Sequence, residues 1–406
     1  MNNIQVNATT SNASSGQAAT FGLRSTLVLA LGTFAVGTDA FIVSAFLPAM
    51  ADGLSVTPAL AGYSVTAFAL AYALLAPVIA AVTSAVARRR LLVAALVILG
   101  LANIASALSP TLGILILTRI VAAAAAAAYT PNAGAVAAAI VRPELRARAL
   151  AIVIGGLTAA TALGVPLGRI ASTTMSWRAS LILVGIVSLA AAFGVLAVMP
   201  RLPGNAPVTL YQRLAILTRP GVMVVLPLTV LGMAACYTPY AFTIQVLDSL
   251  LVPATSVTAM LLAYGAGAVV GNYASGWATD RIGPNAVLTS AYALMVVAMG
   301  GLAWVASAPS PAMIGVVALL MACWGTSSWA QTPPQQHRLI AGAPQEAPLV
   351  VALNSSGIYF GISIGTAIGS HALSDGAQAT LWYGSTIAIV ALVYVMLTAM
   401  RHNSRG

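Results

Sequence analysis

The chain has 406 residues, of which 60% are hydrophobic and only 6% are charged, whereas soluble domains carry about 25% charged residues. That difference excludes an ordinary globular protein. The apolar runs are about twice as long as the ten-residue strands of a membrane barrel, so they predict an all-α protein with many membrane spans. The net charge of +10 comes from 17 arginines, with no lysine. These arginines cluster between the apolar runs, a pattern that argues against nucleic acid binding and indicates membrane topology signals.

Twelve apolar spans follow a polar amino-terminal segment. Residues 1–23 are rich in Asn, Ser, Thr and Ala, and we expect a disordered tail there. The spans predict an amino-terminal six-helix bundle over residues 24–199 and a carboxyl-terminal six-helix bundle over residues 221–401. Between the bundles lies a linker, residues 200–220, and residues 402–406 form a short tail. The span centres lie at about residues 38, 71, 100, 123, 159, 188, 234, 266, 296, 321, 358 and 388.

The arginines predict the orientation of these spans. If the amino terminus is cytoplasmic, 14 arginines face the cytoplasm and only Arg169 and Arg178 face outward, which is a strong positive-inside bias. Both termini are therefore predicted to be cytoplasmic, and the simplest location is a bacterial inner membrane.

Span 1 contains Asp39, the sole acidic residue within a predicted span. An intramembrane carboxylate normally faces a protein interior or a water-filled cavity, so Asp39 is predicted to handle protons for a transporter. Counting 1.5 Å per residue from the outer end of each span, Asp39 on span 1 lies at a depth of roughly 16 Å and Arg119 on span 4 at roughly 13 Å. The two charges are therefore predicted to interact. Arginine keeps its proton, which makes Asp39 the carrier and Arg119 its modulator. Two alternatives remain: Asp39 only caps or packs helices, or Arg119 only bonds backbone carbonyls of span 1 or 5.

Several further stretches match motifs of a known transporter family. The connector after span 8 reads GWATDRIG, and residues 88–90 keep the basic end of that motif after span 2, although its acid is replaced by Ala or Ser. Span 4 contains LTR, span 5 reads GGLTAATALGVPLG, and spans 10 and 11 contain WGTSSWAQTPPQQHRL and LNSSGIYFGISIGTAIG. Over residues 25–400 the chain resembles the major facilitator superfamily in its twelve-span drug–proton antiporter branch. It is most similar to bacterial sugar-efflux, nucleoside-efflux and chloramphenicol-resistance-type permeases, although GTDAF places the span 1 acid one position earlier than the GTxEF of that group.

The resemblance implies two pseudo-symmetric six-helix bundles and a set of functional residues. Close helix packing in span 5 is predicted for Gly155, Gly156, Gly164, Pro166 and Gly168. A conformational gate is predicted at Arg88, Arg89, Arg90, Asp280 and Arg281, with a solvated turn as the alternative for the last two. Substrate contacts are predicted for Tyr129, Asn132, Tyr237, Tyr240, Gln245, Trp324, Trp329, Gln331, Asn354 and Tyr359, with helix packing or interface anchoring as the alternative for each.

The leading functional prediction is a proton-coupled antiporter that exports a small, neutral or weakly charged organic molecule. We expect no enzymatic activity, no metal and no cofactor, with the proton gradient as energy source; the expected partners are the substrate, protons and the lipid bilayer, around a monomer. A proton-coupled importer of the same fold remains the first alternative. A transport-dead membrane sensor would need a larger soluble region than the linker of about 20 residues offers, and a channel would need a filter sequence or rings of charge.

Overall fold

The computed structural model of the protein describes residues 23–204 and 209–403. The predicted amino-terminal tail therefore lies outside the described residues except for Leu23, as do residues 205–208 of the linker and 404–406 of the carboxyl-terminal tail. The described helices are α1 (Leu23–Phe41), α2 (Val43–Gly53), α3 (Pro58–Val82), α4 (Arg88–Ala107), α5 (Leu112–Ala139), α6 (Arg146–Ala159), α7 (Val165–Thr174), α8 (Trp177–Val198), α9 (Leu210–Ala215), α10 (Pro220–Tyr240), α11 (Thr243–Ser249), α12 (Ala254–Ile282), α13 (Pro284–Ser307), α14 (Ile314–Ala330), α15 (Thr332–Gly342), α16 (Ala347–Ala372) and α17 (Ala377–Asn403).

These helices form twelve membrane spans. Within the described residues, eleven helices are long and apolar enough to cross a membrane, and the bent pair α1–α2 makes the twelfth span. Each predicted span centre falls inside one of them, so the predicted number of spans is confirmed. An even number of spans places the start of α1 and the end of α17 on one side, together with α9. We call that side the linker face and the opposite side, which carries α2 and α11, the distal face.

Polar residues in the connectors fix where several helices begin. The side chains of Thr57, Thr111 and Ser176 accept hydrogen bonds from backbone amides three residues later, at the starts of α3, α5 and α8. Thr209 and Gln212 form a capping box at α9. These bonds satisfy amide groups that the first turn of a helix leaves without partners.

Four spans are interrupted. Span 1 bends by 50° between α1 and α2. Span 7 is interrupted between α10 and α11 at Phe242, where the backbone leaves helical geometry. Span 5 contains a π-helical segment, Ala160–Gly164, between α6 and α7, and span 10 breaks at Gln331 between α14 and α15. The first helix of each half is thus broken near its distal end, as expected for an internal repeat.

Small residues allow the first and fifth spans to touch. A Cβ added to Gly156 would collide with the Ala30 carbonyl, and one on Gly164 would lie 2.9 Å from the Thr38 hydroxyl. Gly168 packs in the same way against Ile42. The predicted close packing holds at these three glycines, and it is wrong at Gly155, where an added Cβ meets nothing within 4 Å. The reason is geometric, since consecutive helical residues point about 100° apart.

The two halves meet at the distal face. α2 contacts α11 there, and a Cβ on Gly62 of α3 would lie 2.8 Å from both the Phe242 ring and the Ser370 hydroxyl. In contacts this close the helices exclude a passage between them. α2 and α3 of the amino-terminal half thus pack against α11 and α16 of the other half.

Candidate functional site

Asp39 and Arg119 form a buried ion pair in the middle of the amino-terminal half. Their side chains are 0% and 1% exposed, and the Arg119 Nη1 group donates to Asp39 Oδ1. The Nη2 group donates to the main-chain oxygen of Asp39 at 2.8 Å. The pairing predicted from equal depth is confirmed, and the alternative contact to a span 1 carbonyl exists beside it.

The local fold explains this geometry. α1 ends at Phe41, and the last four carbonyl groups of a helix have no partner inside the helix. The bend at Ile42 leaves the Asp39 carbonyl available, and the guanidinium of Arg119 takes the place of a backbone donor. Arg119 therefore donates hydrogen bonds both to a carbonyl at the end of α1 and to the carboxylate of the same residue.

The ion pair keeps unused hydrogen-bonding capacity. Asp39 Oδ2 and Arg119 Nε are both buried without a hydrogen-bond partner, as is the hydroxyl of the neighbouring Thr38. The guanidinium carbon of Arg119 lies 4.4 Å from the centre of the Phe68 ring, so an aromatic face covers the cation. The free carboxylate oxygen can accept a hydrogen bond or a proton, while the pair as a whole carries no net charge.

Nine aromatic side chains make ring contacts within and between the two halves, and one of them, Phe68, covers the cation of the pair; we call these nine the aromatic cluster. They are Phe41, Phe68 and Tyr72 from the amino-terminal half, with Tyr237, Tyr240, Tyr264, Trp324, Trp329 and Tyr359 from the other half. The Tyr72 and Tyr359 rings stack with centroids 3.7 Å apart, and the Tyr359 centroid lies 6.3 Å from that of Phe68. The ring centroid of Phe41 lies 6.2 Å from that of Tyr237 and 6.0 Å from that of Trp329.

Five of the predicted substrate-binding residues belong to the aromatic cluster: Tyr237, Tyr240, Trp324, Trp329 and Tyr359. Sequence reasoning missed the other four members, Phe41, Phe68, Tyr72 and Tyr264. Their aromatic character within spans 1, 2 and 8 was visible in the sequence, but nothing there separates a ring that faces the site from one that faces lipid.

Two other predicted residues, Gln331 and Asn354, make hydrogen bonds inside the carboxyl-terminal half. Gln331 accepts a bond from the Tyr292 hydroxyl at 3.0 Å and donates to the Ser328 carbonyl at 2.9 Å. Asn354 accepts from the Thr229 hydroxyl at 3.0 Å, while its Nδ2 group is buried without a partner. The structure thus places these two side chains between helices.

The remaining predicted substrate residues lie elsewhere. The Tyr129 hydroxyl donates to the Leu29 carbonyl at 3.0 Å, and its ring fills the space above Gly32. Asn132 accepts a bond from Arg88 at 2.8 Å, thirteen residues beyond Arg119, or roughly 20 Å along the same helix. The side-chain amide of Gln245, on α11, is buried without a partner.

The predicted gate residues all lie toward the linker face. Arg88 bonds within the amino-terminal half, and Arg89 donates to the Leu196 carbonyl of α8. Arg90 and Asp280 are exposed, and the Arg281 guanidinium lies 3.9 Å from the Trp277 ring centre. Arg88 and Arg89 therefore brace their own half in this conformation.

Comparison with known proteins agrees with this architecture. A sequence model described as the Major Facilitator Superfamily matches residues 29–347. The inner membrane transport protein YdhP of Escherichia coli (strain K12) is 32% identical over 381 residues, which cover 92% of this chain and 96% of that protein. A chloramphenicol resistance protein of Streptomyces lividans is 30% identical over 375 residues, which cover 90% of this chain and 94% of that protein.

Solved structures with the same fold include distant transporters. A mutant of the nucleoside transporter NupG superposes with a TM-score of 0.76 at 12% identity, covering 92% of this chain and 99% of that one. The human organic anion transporter MFSD10 superposes with a TM-score of 0.70 at 16% identity, and the match covers 92% of this chain and 100% of that one. At this level of identity the likeness concerns the fold alone.

Proposed function

Since the chain belongs to the Major Facilitator Superfamily and is a membrane transporter of that class, we propose that it exports a small organic molecule in exchange for protons by alternating access. The observation that carries the proposal is the buried Asp39–Arg119 pair with one free carboxylate oxygen. A proton on that oxygen weakens the attraction of Asp39 for Arg119, because a neutral carboxyl group no longer attracts the cation by charge. Protonation can thereby alter a contact that fixes span 4 to the bend of span 1.

The charge inventory supports protons as the coupling ion. Arg119 does not release its proton under physiological conditions, so Asp39 is the group of the pair that can load and unload one. The exchange draws on the proton gradient and needs no cofactor. Movement of the halves about the aromatic cluster would expose Asp39 to each side of the membrane in turn.

The arginine distribution supports an inner-membrane protein with the linker face in the cytoplasm. In that orientation the distal face, where α2 contacts α11, is external. An exporter takes up its substrate from the cytoplasm, so we propose that its binding state opens at the linker face.

The aromatic cluster supports a neutral or weakly charged substrate that bears a ring. Its side chains are apolar rings with a few hydroxyl groups, a composition that small-molecule pockets share, and Asp39 and Arg119 offset each other's charge. A polyanion would lose its hydration without finding surplus cations. The similar chloramphenicol resistance protein makes phenicol-type drugs the first compounds to test.

The test uses everted membrane vesicles with an imposed pH gradient and a panel of phenicols, nucleosides and glycosides. The wild-type protein should accumulate at least one of these compounds only while the gradient lasts. Asp39→Asn should abolish gradient-driven accumulation per unit of folded protein, measured by size-exclusion chromatography. Asp375→Asn, in the exposed distal connector, serves as the matched control. Undiminished uphill transport by Asp39→Asn would refute proton coupling through this residue.

A further inference from the structure

Two arginines at the linker face share one small region without a counter-charge. Arg88 at the start of α4 is 8% exposed and donates to Asn132 Oδ1 at 2.8 Å and to the Ser84 carbonyl at 2.9 Å. Arg213 of the linker helix α9 donates to the Ala80 carbonyl at 3.2 Å. Each of these acceptors is electrically neutral.

The two guanidinium groups donate to carbonyls four residues apart, Ser84 for Arg88 and Ala80 for Arg213. Burial and the nearby Arg88 cation both lower the pKa of Arg213, and the Nε group of Arg213 is buried without an acceptor. The ion pairs of the described residues are Asp39–Arg119 and Arg219–Glu346, so neither Arg88 nor Arg213 takes part in one. Like charges held together without an anion are unfavourable, and half-buried donors without acceptors add to the cost.

The sequence explains why no carboxylate is present. In the carboxyl-terminal half Asp280 lies four residues before the start of α13, whereas Ser84 occupies the position four residues before the start of α4. The fold nevertheless closes around the arginine, because the Arg88 amide donates to the Leu202 carbonyl at 3.0 Å. The linker thus crosses the start of α4 and brings Arg213 to a site that lacks its own acid.

The surroundings of the two arginines are typical of a membrane boundary. Val82 at the end of α3 is 71% exposed and Val86 is 38% exposed. On α9, Tyr211 is 82% exposed and Leu214 is 40% exposed. Apolar and tyrosine side chains at the end of a membrane span lie at the level of the lipid head groups. An anion that reaches Arg213 beside these side chains is most readily supplied by a phospholipid.

We infer that Arg88 and Arg213 bind the phosphate group of an anionic phospholipid from the leaflet at the linker face. Guanidinium donors match phosphate oxygens in geometry and charge, and basic pockets between membrane helices are known to hold anionic head groups. The phosphate replaces the missing carboxylate and fastens the linker helix to the amino-terminal half.

The test measures lipid binding to the full-length protein in detergent micelles by native mass spectrometry and thermal denaturation. The probes are phosphatidylglycerol, zwitterionic phosphatidylcholine and inorganic phosphate. We expect phosphatidylglycerol to bind and to raise the melting temperature more than phosphatidylcholine does. Arg213→Gln should weaken phosphatidylglycerol binding by roughly tenfold or more, the loss expected for one charge-assisted hydrogen-bonded contact.

Arg142→Gln, which removes an exposed arginine from another connector at the same face, is the matched control and should bind like the wild type. Equal weakening by Arg142→Gln and Arg213→Gln would show general attraction to a basic surface and overturn the site. Binding of phosphatidylglycerol unaffected by Arg213→Gln would also overturn it. If inorganic phosphate binds through Arg213 and phosphatidylglycerol has no advantage, the lipid source is wrong and a soluble phosphate is the ligand.

Discussion

Replacing Arg119 with glutamine should destabilise the protein more than replacing both members of the ion pair. Arg119→Gln leaves the carboxylate of Asp39 buried without its cation, and breaking a buried pair from one side costs about 3–5 kcal/mol. The double variant Asp39→Asn/Arg119→Gln removes both charges. It still loses the bond to the Asp39 carbonyl, about 1.5–3 kcal/mol for a charged donor, and the contact with Phe68, about 0.5–2 kcal/mol.

Both variants lose these two contacts, so the double variant should recover only the cost of leaving the Asp39 carboxylate buried without its cation, about 1–3 kcal/mol. The assay is thermal denaturation of the purified protein in detergent, followed by size-exclusion chromatography. For a half of this size, each kcal/mol corresponds to roughly 2–4 °C in melting temperature, so Arg119→Gln should melt on the order of 6 °C or more below the wild type. The reasoning fails if the double variant melts at or below the temperature of Arg119→Gln.

Three further outcomes are expected. Gly156→Ala should destabilise the protein by about 1–3 kcal/mol, because the added Cβ meets a backbone carbonyl. Gly155→Ala, where the Cβ enters open space, should be neutral or stabilising. Equal melting temperatures of the two variants would contradict this. Tyr359→Ala should lower transport more than Tyr359→Phe, which keeps the stacked ring, and the opposite order in the vesicle assay would remove the cluster from the mechanism. In a cysteine-free background, a cysteine at Asn12 should resist an impermeant thiol reagent in whole cells while one at Asp375 reacts; the reverse pattern would invert the orientation.

Hydropathy alone determined the framework of this protein. In a bilayer the backbone must satisfy its hydrogen bonds within the segment, so an apolar run of sufficient length has to form a helix, and twelve such runs predict twelve spans. The same reasoning singled out Asp39, because a lone acid in an apolar span needs a partner, and counting residues along spans 1 and 4 led to Arg119. These inferences need only length, depth and charge, which a sequence contains.

Tertiary structure decided which side of each helix packs against protein and which side faces lipid. Phe68 covers the guanidinium of Arg119 and Phe41 contacts Tyr237 and Trp329, yet in the sequence both look like any lipid-facing phenylalanine. Gly155 and Gly156 are neighbours in the same motif. Only the position of span 1 explains why Gly156 packs against a backbone carbonyl while Gly155 faces open space. The meeting of Arg88 with Arg213 depends on how the linker crosses α4. Within membrane helices almost every residue is apolar or small, so periodicity carries little information about which face meets protein, and packing of the assembled bundle supplies it.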